Sequence, residues 1–300
     1  MKKLTSLQDL PDELLQACFA RLPSLRSVAR SVRPVCRRWQ SLSDADSLYQ
    51  LRKAKSLTRP CLFMVSSKYE EGHSYAGLQI TGCELNLSKV MTPVALLPGP
   101  PRLQFAVAAS PHGRLLFILG GRSPLISRHP DTWLAFRRLD IYDVVSNHWF
   151  QAQPMQQARY AFALAAFTRA GDTGRPQLLV AGGYDAHGCA LASAELYDVL
   201  SDRWHSLPSM TSLSGACKGL FTRGKFYVKM ANNGPLAIEA FDPALLCWSS
   251  PFSWPARSSH FHSASSTCNA YTIKDGDPAC VCSHKLLVFD NNPCDLFLEL

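Results

Sequence analysis

Few residues of this 300-residue chain stand at spacings that bond chemistry demands. Cys280-x-Cys282-x-His284, with Cys268 and Cys294 nearby, is the metal-like cluster of the sequence. Its spacing fits no common zinc module, so it reads as unrelated thiols. His260 and His262 alternate and would share one face of a strand, which suits a metal; a pair of exposed loop histidines is the preferred reading. Gly120-Gly121 and Gly182-Gly183 each end an apolar run, as a phosphate cradle does. No helix pattern opens after either, so the dipole that would hold the phosphate is missing. There is no Gly-x-Ser-x-Gly elbow and no phosphate loop ending in Gly-Lys-Ser/Thr. The sequence predicts no catalytic residue, no metal and no cofactor.

The glycine pairs belong instead to a repeat. Leu116 to Gly121 is followed by Asp140-Ile141-Tyr142-Asp143 and then Trp149. Leu178 to Gly183 is followed by Glu195-Leu196-Tyr197-Asp198 and then Trp204. A worn copy runs through Phe226-Tyr227-Val228, Glu239-Ala240-Phe241-Asp242 and Trp248. Asp and Trp are six residues apart in all three. The apolar runs have the length of buried strands, and the glycines end them where the chain turns close to other backbone. Ser146-Asn147 and Ser201-Asp202 are turn residues, so each Tyr and Trp share a hairpin whose rings can fill the space between neighbouring sheets. The period, near the roughly 50 residues of such a unit, and the phased residues resemble the kelch repeat, which implies four-stranded propeller blades. Three units are clear. Leu78 to Pro101 is a poor flanking one, and beyond Pro251 the pattern decays, with strands expected near His260–Ala264, Tyr271–Ile273 and Lys285–Asp290.

The N-terminal segment is different. Leu15, Cys18, Phe19 and Leu22 recur at helical steps after Pro11-Asp12-Glu13, and Leu25, Val28 and Val32 continue the spacing. Leu10, Pro11, Glu13 and Leu14, then Val35, Cys36, Arg37 and Trp39, resemble the two halves of an F-box. That resemblance implies docking to the Skp-family adaptor of a cullin–RING ubiquitin ligase, with Leu10, Pro11, Leu14 and Leu15 as apolar contacts. Val35 and Trp39 would hold the three helices or extend the surface. Arg37 and Arg38 read as a solvated helix face.

Net charge is +8, but the first 59 residues carry twelve Lys/Arg against five Asp/Glu, which leaves the rest near neutral and argues against a nucleic-acid-binding propeller. The eleven cysteines have no framework spacing and read as reduced and mostly buried. No apolar leader follows Met1-Lys2-Lys3 and no run is long enough to cross a membrane, so an intracellular protein of cytoplasm or nucleus is expected.

The expected architecture is α+β and multi-domain: a three-helix F-box over 1–57, then a mostly antiparallel, all-β kelch propeller over 58–300. About five blades are recognisable, an incomplete or shortened set remaining open, and the last strand could pair with the first. The expected function is a non-catalytic substrate receptor of a Skp–cullin–F-box ligase. Its target would sit on the 122–138 insert, where Arg122, Arg128, Trp133, Arg137 and Arg138 are types favoured at interfaces. Two alternatives stand beside it: a kelch scaffold acting without a ligase, and a small-molecule sensor using the propeller channel.

Overall fold

The computed structural model describes residues 10–253 apart from 24, 45, 58–59, 70–74, 85–91, 98, 101, 112–113, 124–133, 145, 170–174 and 231–236, together with 288–290 and 294–299. Helices come first: α1 (Asp12–Ala20), α2 (Leu25–Ser31), α3 (Arg37–Asp44) and α4 (Asp46–Ala54). Pro11 lies just before α1 at φ −56°, already suited to helix entry, and its carbonyl accepts from the N–H groups of Leu14 and Leu15, both at 3.1 Å. Leu15, Phe19, Val28, Val32 and Leu48 form the helical core, with the Trp39 ring tilted against Phe19 at 5.1 Å.

The fourth helix exceeds the three the sequence suggested. Its apolar content is thin, and two side chains hold it in place. Leu48 is buried, and the buried Arg52 donates to the carbonyls of Ala20 at 2.8 Å, Leu22 at 2.7 Å and Leu57 at 2.9 Å. One guanidinium therefore satisfies the frayed end of α1 and the exit toward the sheets, which a hydrophobic pattern does not report.

Four antiparallel sheets follow. The first combines β1 (Pro60–Tyr69), β2 (Tyr75–Glu84) and β3 (Thr92–Leu97) with β17 (Val288–Asp290) and β18 (Cys294–Glu299) from the far end of the chain, in the order β17-β18-β1-β2-β3. Pro60 lies opposite Glu299 and Val65 opposite Cys294, so the last strand does pair with the first. The second sheet is β4 (Ala106–Ala109), β5 (Leu115–Leu119), β6 (Leu139–Asp143) and β7 (His148–Ala152). The third is β8 (Ala163–Thr168), β9 (Pro176–Ala181), β10 (Ala194–Asp198) and β11 (Arg203–Leu207). The fourth is β12 (Cys217–Thr222), β13 (Lys225–Met230), β14 (Ala237–Asp242) and β15 (Cys247–Trp248), with β16 (Phe252–Ser253) also on β14. Strands β18, β4, β8 and β12 lie side by side in succession, as the inner strands of propeller blades do. The strands expected at His260–Ala264 and Tyr271–Ile273 fall outside the described residues.

The glycine pairs stitch one sheet to the next. Gly121 donates its N–H to the Arg159 carbonyl and Gly183 to that of Ser214, each at 3.0 Å and each in the connector that leads into the following sheet. A Cβ on Gly183 would stand 2.6 Å from the Tyr160 carbonyl oxygen, and φ there is +88°. Gly224 has a similar φ of +74° but nothing within 4 Å. Gly183→Ala is therefore expected to lower stability by about 2–3 kcal/mol, and Gly224→Ala by about 1 kcal/mol or less, in urea unfolding.

The hairpin aromatics occupy equivalent places. Tyr142 lies opposite Trp149, Tyr197 opposite Trp204 and Phe241 opposite Trp248, with ring centroids 4.8, 4.9 and 5.1 Å apart. Each pair packs on the preceding sheet. The indole N–H of Trp204 reaches the Gln153 carbonyl at 2.8 Å and that of Trp248 the Pro208 carbonyl at 2.7 Å, fastening each outer strand to the connector before it. The turns match too. Asn147, Asp202 and Leu246 all have positive φ, and the first two accept the hydroxyls of Tyr142 and Tyr197 at 2.6 Å. Burial and the bond to Asp202 push the Tyr197 phenol up.

The third copy has lost both the hydroxyl and its acceptor, and Leu246 bears a left-handed backbone without compensation. Phe241→Tyr alone is expected to cost about 1 kcal/mol by burying an unpaired hydroxyl. With Leu246→Asn added, stability should exceed that of the parent by about 1 kcal/mol, since the strain is relieved and the bond restored. Thermal unfolding of the two variants separates these outcomes.

Among the described residues the cysteines are free, as expected, but not mostly buried: Cys18, Cys36, Cys189 and Cys247 are exposed and Cys217 is buried. Cys18 lies on a helix surface, Cys36 and Cys189 lie in connecting segments, and Cys247 begins the short outer strand β15, positions where a small side chain needs no cover. Burial pushes the Cys217 thiol up.

Candidate functional site

Two surfaces carry the residues singled out in the sequence. The first lies on the helices. Leu14 is 52% exposed and Val35 53%, while Pro11 is exposed and Leu10 half-buried. Large apolar groups left open on so small a module have no further core to serve. Leu15 differs: it is 1% exposed, inside the core, and belongs to the scaffold behind that surface. Trp39 is half-buried against Phe19 and holds α3 to α1, so it too supports rather than faces outward.

Val35 lies in the turn that precedes α3. The Val35 N–H is used by the Val32 carbonyl at 3.1 Å in a turn, and the sulfur of Cys36 accepts from the Trp39 N–H at 3.5 Å in the capping position. Arg38 then ties the two elements together. Its guanidinium bonds the Asp12 carboxylate at 2.7 Å and the Leu10 carbonyl at 2.6 Å. The start of α1 and the start of α3 are thereby held side by side, each presenting an open apolar group. Of the pair read as a solvated face, Arg37 is exposed and Arg38 performs this tethering.

The second surface lies at the glycine ends of the second and third sheets. Arg122 pairs in bridges with Leu103 and Ala135, and Tyr184 with Tyr160 and Ala190, so the loops continue the sheets rather than wander. Arg122 donates to the Gln104 side-chain carbonyl at 2.6 Å and stands 5.4 Å over the Tyr160 ring. Tyr160 in turn stacks on Tyr184, centroids 5.4 Å apart. Burial pushes the Tyr160 phenol up, opposed by the Arg122 charge. Gly215 permits this arrangement, since a Cβ there would stand 2.0 Å from the Tyr184 ring. The result is an arginine and two tyrosines contributed by adjacent sheets. Arg137 is exposed nearby along the chain. Arg138 instead bonds the Asp140 carboxylate at 2.7 Å and braces its own sheet. Arg128 and Trp133 lie outside the described residues.

The buried ion pairs escaped the sequence reading. Arg102 pairs with Asp140, and Arg159 with Glu195 at 2.8 Å, both almost free of solvent. Arg159 also donates to the carbonyls of Gly182 at 2.9 Å and Ser193 at 3.0 Å. Burial lowers the Arg159 guanidinium, and Glu195 works against that shift. Glu195 further accepts the N–H groups of Gln156 at 2.8 Å and Gln157 at 3.3 Å. Glu239, three residues before its aspartate like Glu195 and Asp140, accepts the N–H groups of Thr211 at 2.8 Å and Ser212 at 2.9 Å. In that unit Ser214 stands where Arg159 does, its buried hydroxyl without a partner among the described residues. The signal that would have found these groups is a carboxylate in phase with the Asp–Trp repeat.

Comparison with known proteins gives two family-model matches. An F-box-like family model matches residues 7–52, and a Kelch motif model matches residues 173–211, which span β9 to β11 and their flanks. The F-box/kelch-repeat protein At1g80440 of Arabidopsis thaliana is 28% identical over 74% of this chain and 60% of its own length. The F-box/kelch-repeat protein At2g44130 of the same plant is 27% identical over 80% of this chain and 63% of its own. F-box/kelch-repeat protein SKIP30 is 24% identical over 83% and 67%. The chain spans about three-fifths of the length of the first two. Among solved structures, one described as the structure of YjhT has a TM-score of 0.45 at 15% identity, over 59% of this chain and 60% of that one. The chain thus joins an F-box-like segment to kelch blades. Over most of its length it resembles the F-box/kelch-repeat proteins. Among the described residues no helix is long and apolar enough to cross a membrane.

Proposed function

We propose that this chain is a substrate-recognition subunit of a Skp–cullin–F-box ubiquitin ligase, working inside the cell as two units, 1–57 and 58–300. The observation that carries the reading is the pair of open apolar groups, Leu14 and Val35, on helix starts that Arg38 locks together. With Leu10 and Pro11 they make a pre-formed apolar docking surface for a Skp-family adaptor, so little ordering cost attends binding. The target protein sits on the glycine ends of the blades around Arg122, Tyr160 and Tyr184, with Arg137, Arg128 and Trp133 from the same insert as further contacts. The chain performs no bond chemistry. It raises the local concentration of target lysines beside a conjugating enzyme.

Proximity labelling with the full chain and with its Leu14→Asp variant, under proteasome inhibition, tests this. Proteins labelled by both, and more abundant with the variant once inhibition is lifted, are the expected targets. Equal abundance of every labelled protein in the two cases would overturn the reading.

A further inference from the structure

A groove of about 960 Å³ opens between the helices and the first two sheets, at the upper end of the ~300–1,000 Å³ range of ligand clefts. One wall is Arg30, Arg33, Arg37 and Gln40; the other is Pro93 and Val94 of β3 with Ser146 and Asn147 of the β6–β7 turn. Among the described residues no carboxylate lines it. Arg30 and Arg37 are exposed and have no acidic partner among the described residues. Asn147 accepts the Tyr142 hydroxyl through its Oδ1, which leaves its amide N–H groups as donors. The groove is therefore lined by cations and donors, with the flat apolar edge of Pro93 and Val94 alongside.

We propose that this groove binds an acidic, extended protein segment, whose carboxylates or phosphoserines pair with Arg30 and Arg37 while its backbone lies on Pro93 and Val94. Concave basic walls with low-dielectric sides focus attraction for such a chain. A nucleic acid fits less well: among the described residues the groove holds no aromatic ring for base stacking, and the sheets beyond are close to neutral. The site adjoins the adaptor surface without sharing its open apolar groups: Pro34 and Cys36, on either side of Val35, line it, while Leu14 and Val35 do not. It is separate from the blade ends around Arg122.

Fluorescence anisotropy of the full chain with three short labelled peptides tests this: one rich in Glu, one with phosphoserine in place of Glu, one with Gln. The Glu or the phosphoserine peptide should bind, the better of the two identifying the source of charge, and added salt should weaken it. The Gln peptide should not bind. Arg30→Glu with Arg37→Glu should raise Kd about tenfold or more while adaptor binding is retained. Equal binding of the Gln peptide, or an unchanged Kd in the double variant, would overturn the proposal. So would tighter binding of an RNA oligomer or a phosphatidylserine vesicle through the same arginines, or loss of adaptor binding in the double variant.

Discussion

Arg159→Met is expected to lower the stability of the sheets by about 3–5 kcal/mol, or about 6–20 °C in Tm. The guanidinium is fully buried and meets the Glu195 carboxylate at 2.8 Å. Its removal strands that carboxylate without its counter-charge and leaves the Gly182 and Ser193 carbonyls short of a donor. Breaking such a pair from one side costs more than replacing both partners with apolar groups, because the lone charge stays out of water. Arg159→Met with Glu195→Leu should therefore recover part of the loss. The fourth sheet offers a comparison within the molecule. Glu239 sits in the same phase with backbone N–H groups as its partners and Ser214 in the arginine's place. Glu239→Gln should accordingly cost less than Glu195→Gln, since no buried cation is abandoned. Urea denaturation of the four variants measures all of this. An Arg159→Met protein as stable as the parent would show that the pair is dispensable.

The second large effect concerns binding. Leu14→Asp with Val35→Asp should weaken adaptor binding about a hundredfold or more and leave Tm nearly unchanged. Each residue is more than half exposed, so neither change opens a cavity, yet each places a charge at the centre of the proposed apolar contact. Leu15→Asp serves as the contrast: it buries a charge in the helical core and should unfold the helices, losing binding through stability. Calorimetric titration paired with thermal unfolding distinguishes a lost contact from a lost fold.

How much of this was legible in the sequence differs from residue to residue. The hairpins were legible because Asp and Trp recur at one spacing, and only equivalent turns make that spacing recur. The glycine pairs were legible because no other residue tolerates both their φ and their approach to the neighbouring sheet. Leu14 and Leu15 are alike in type, and the family resemblance treats them together. Helical phase separates them, since Leu15 shares a face with Phe19 and Leu14 does not. The helix α4 and the buried arginines were not legible. Arg52, Arg102 and Arg159 look like surface residues by type, and what buries them is a set of carbonyls and carboxylates from 5 to 38 residues away. Polar satisfaction of that kind leaves no hydrophobic period. The exposed cysteines were misjudged for a related reason: their usual burial is a statistical tendency, and local position overrides it. Of the residues the sequence assigned to a target, Arg138 shows how one residue type serves two ends. Its neighbour Asp140 claims it, while Arg122 is presented over Tyr160.

The central claim, that the helices dock a ligase adaptor while the blades stay free, is met most directly by size-exclusion chromatography with light scattering. The full chain is mixed with a purified Skp-family adaptor and the cullin fragment that adaptor binds. The account predicts one species containing all three chains, lost for Leu14→Asp with Val35→Asp and unchanged for Arg122→Glu. Separate elution of adaptor and chain under conditions where the adaptor still binds its cullin would contradict it.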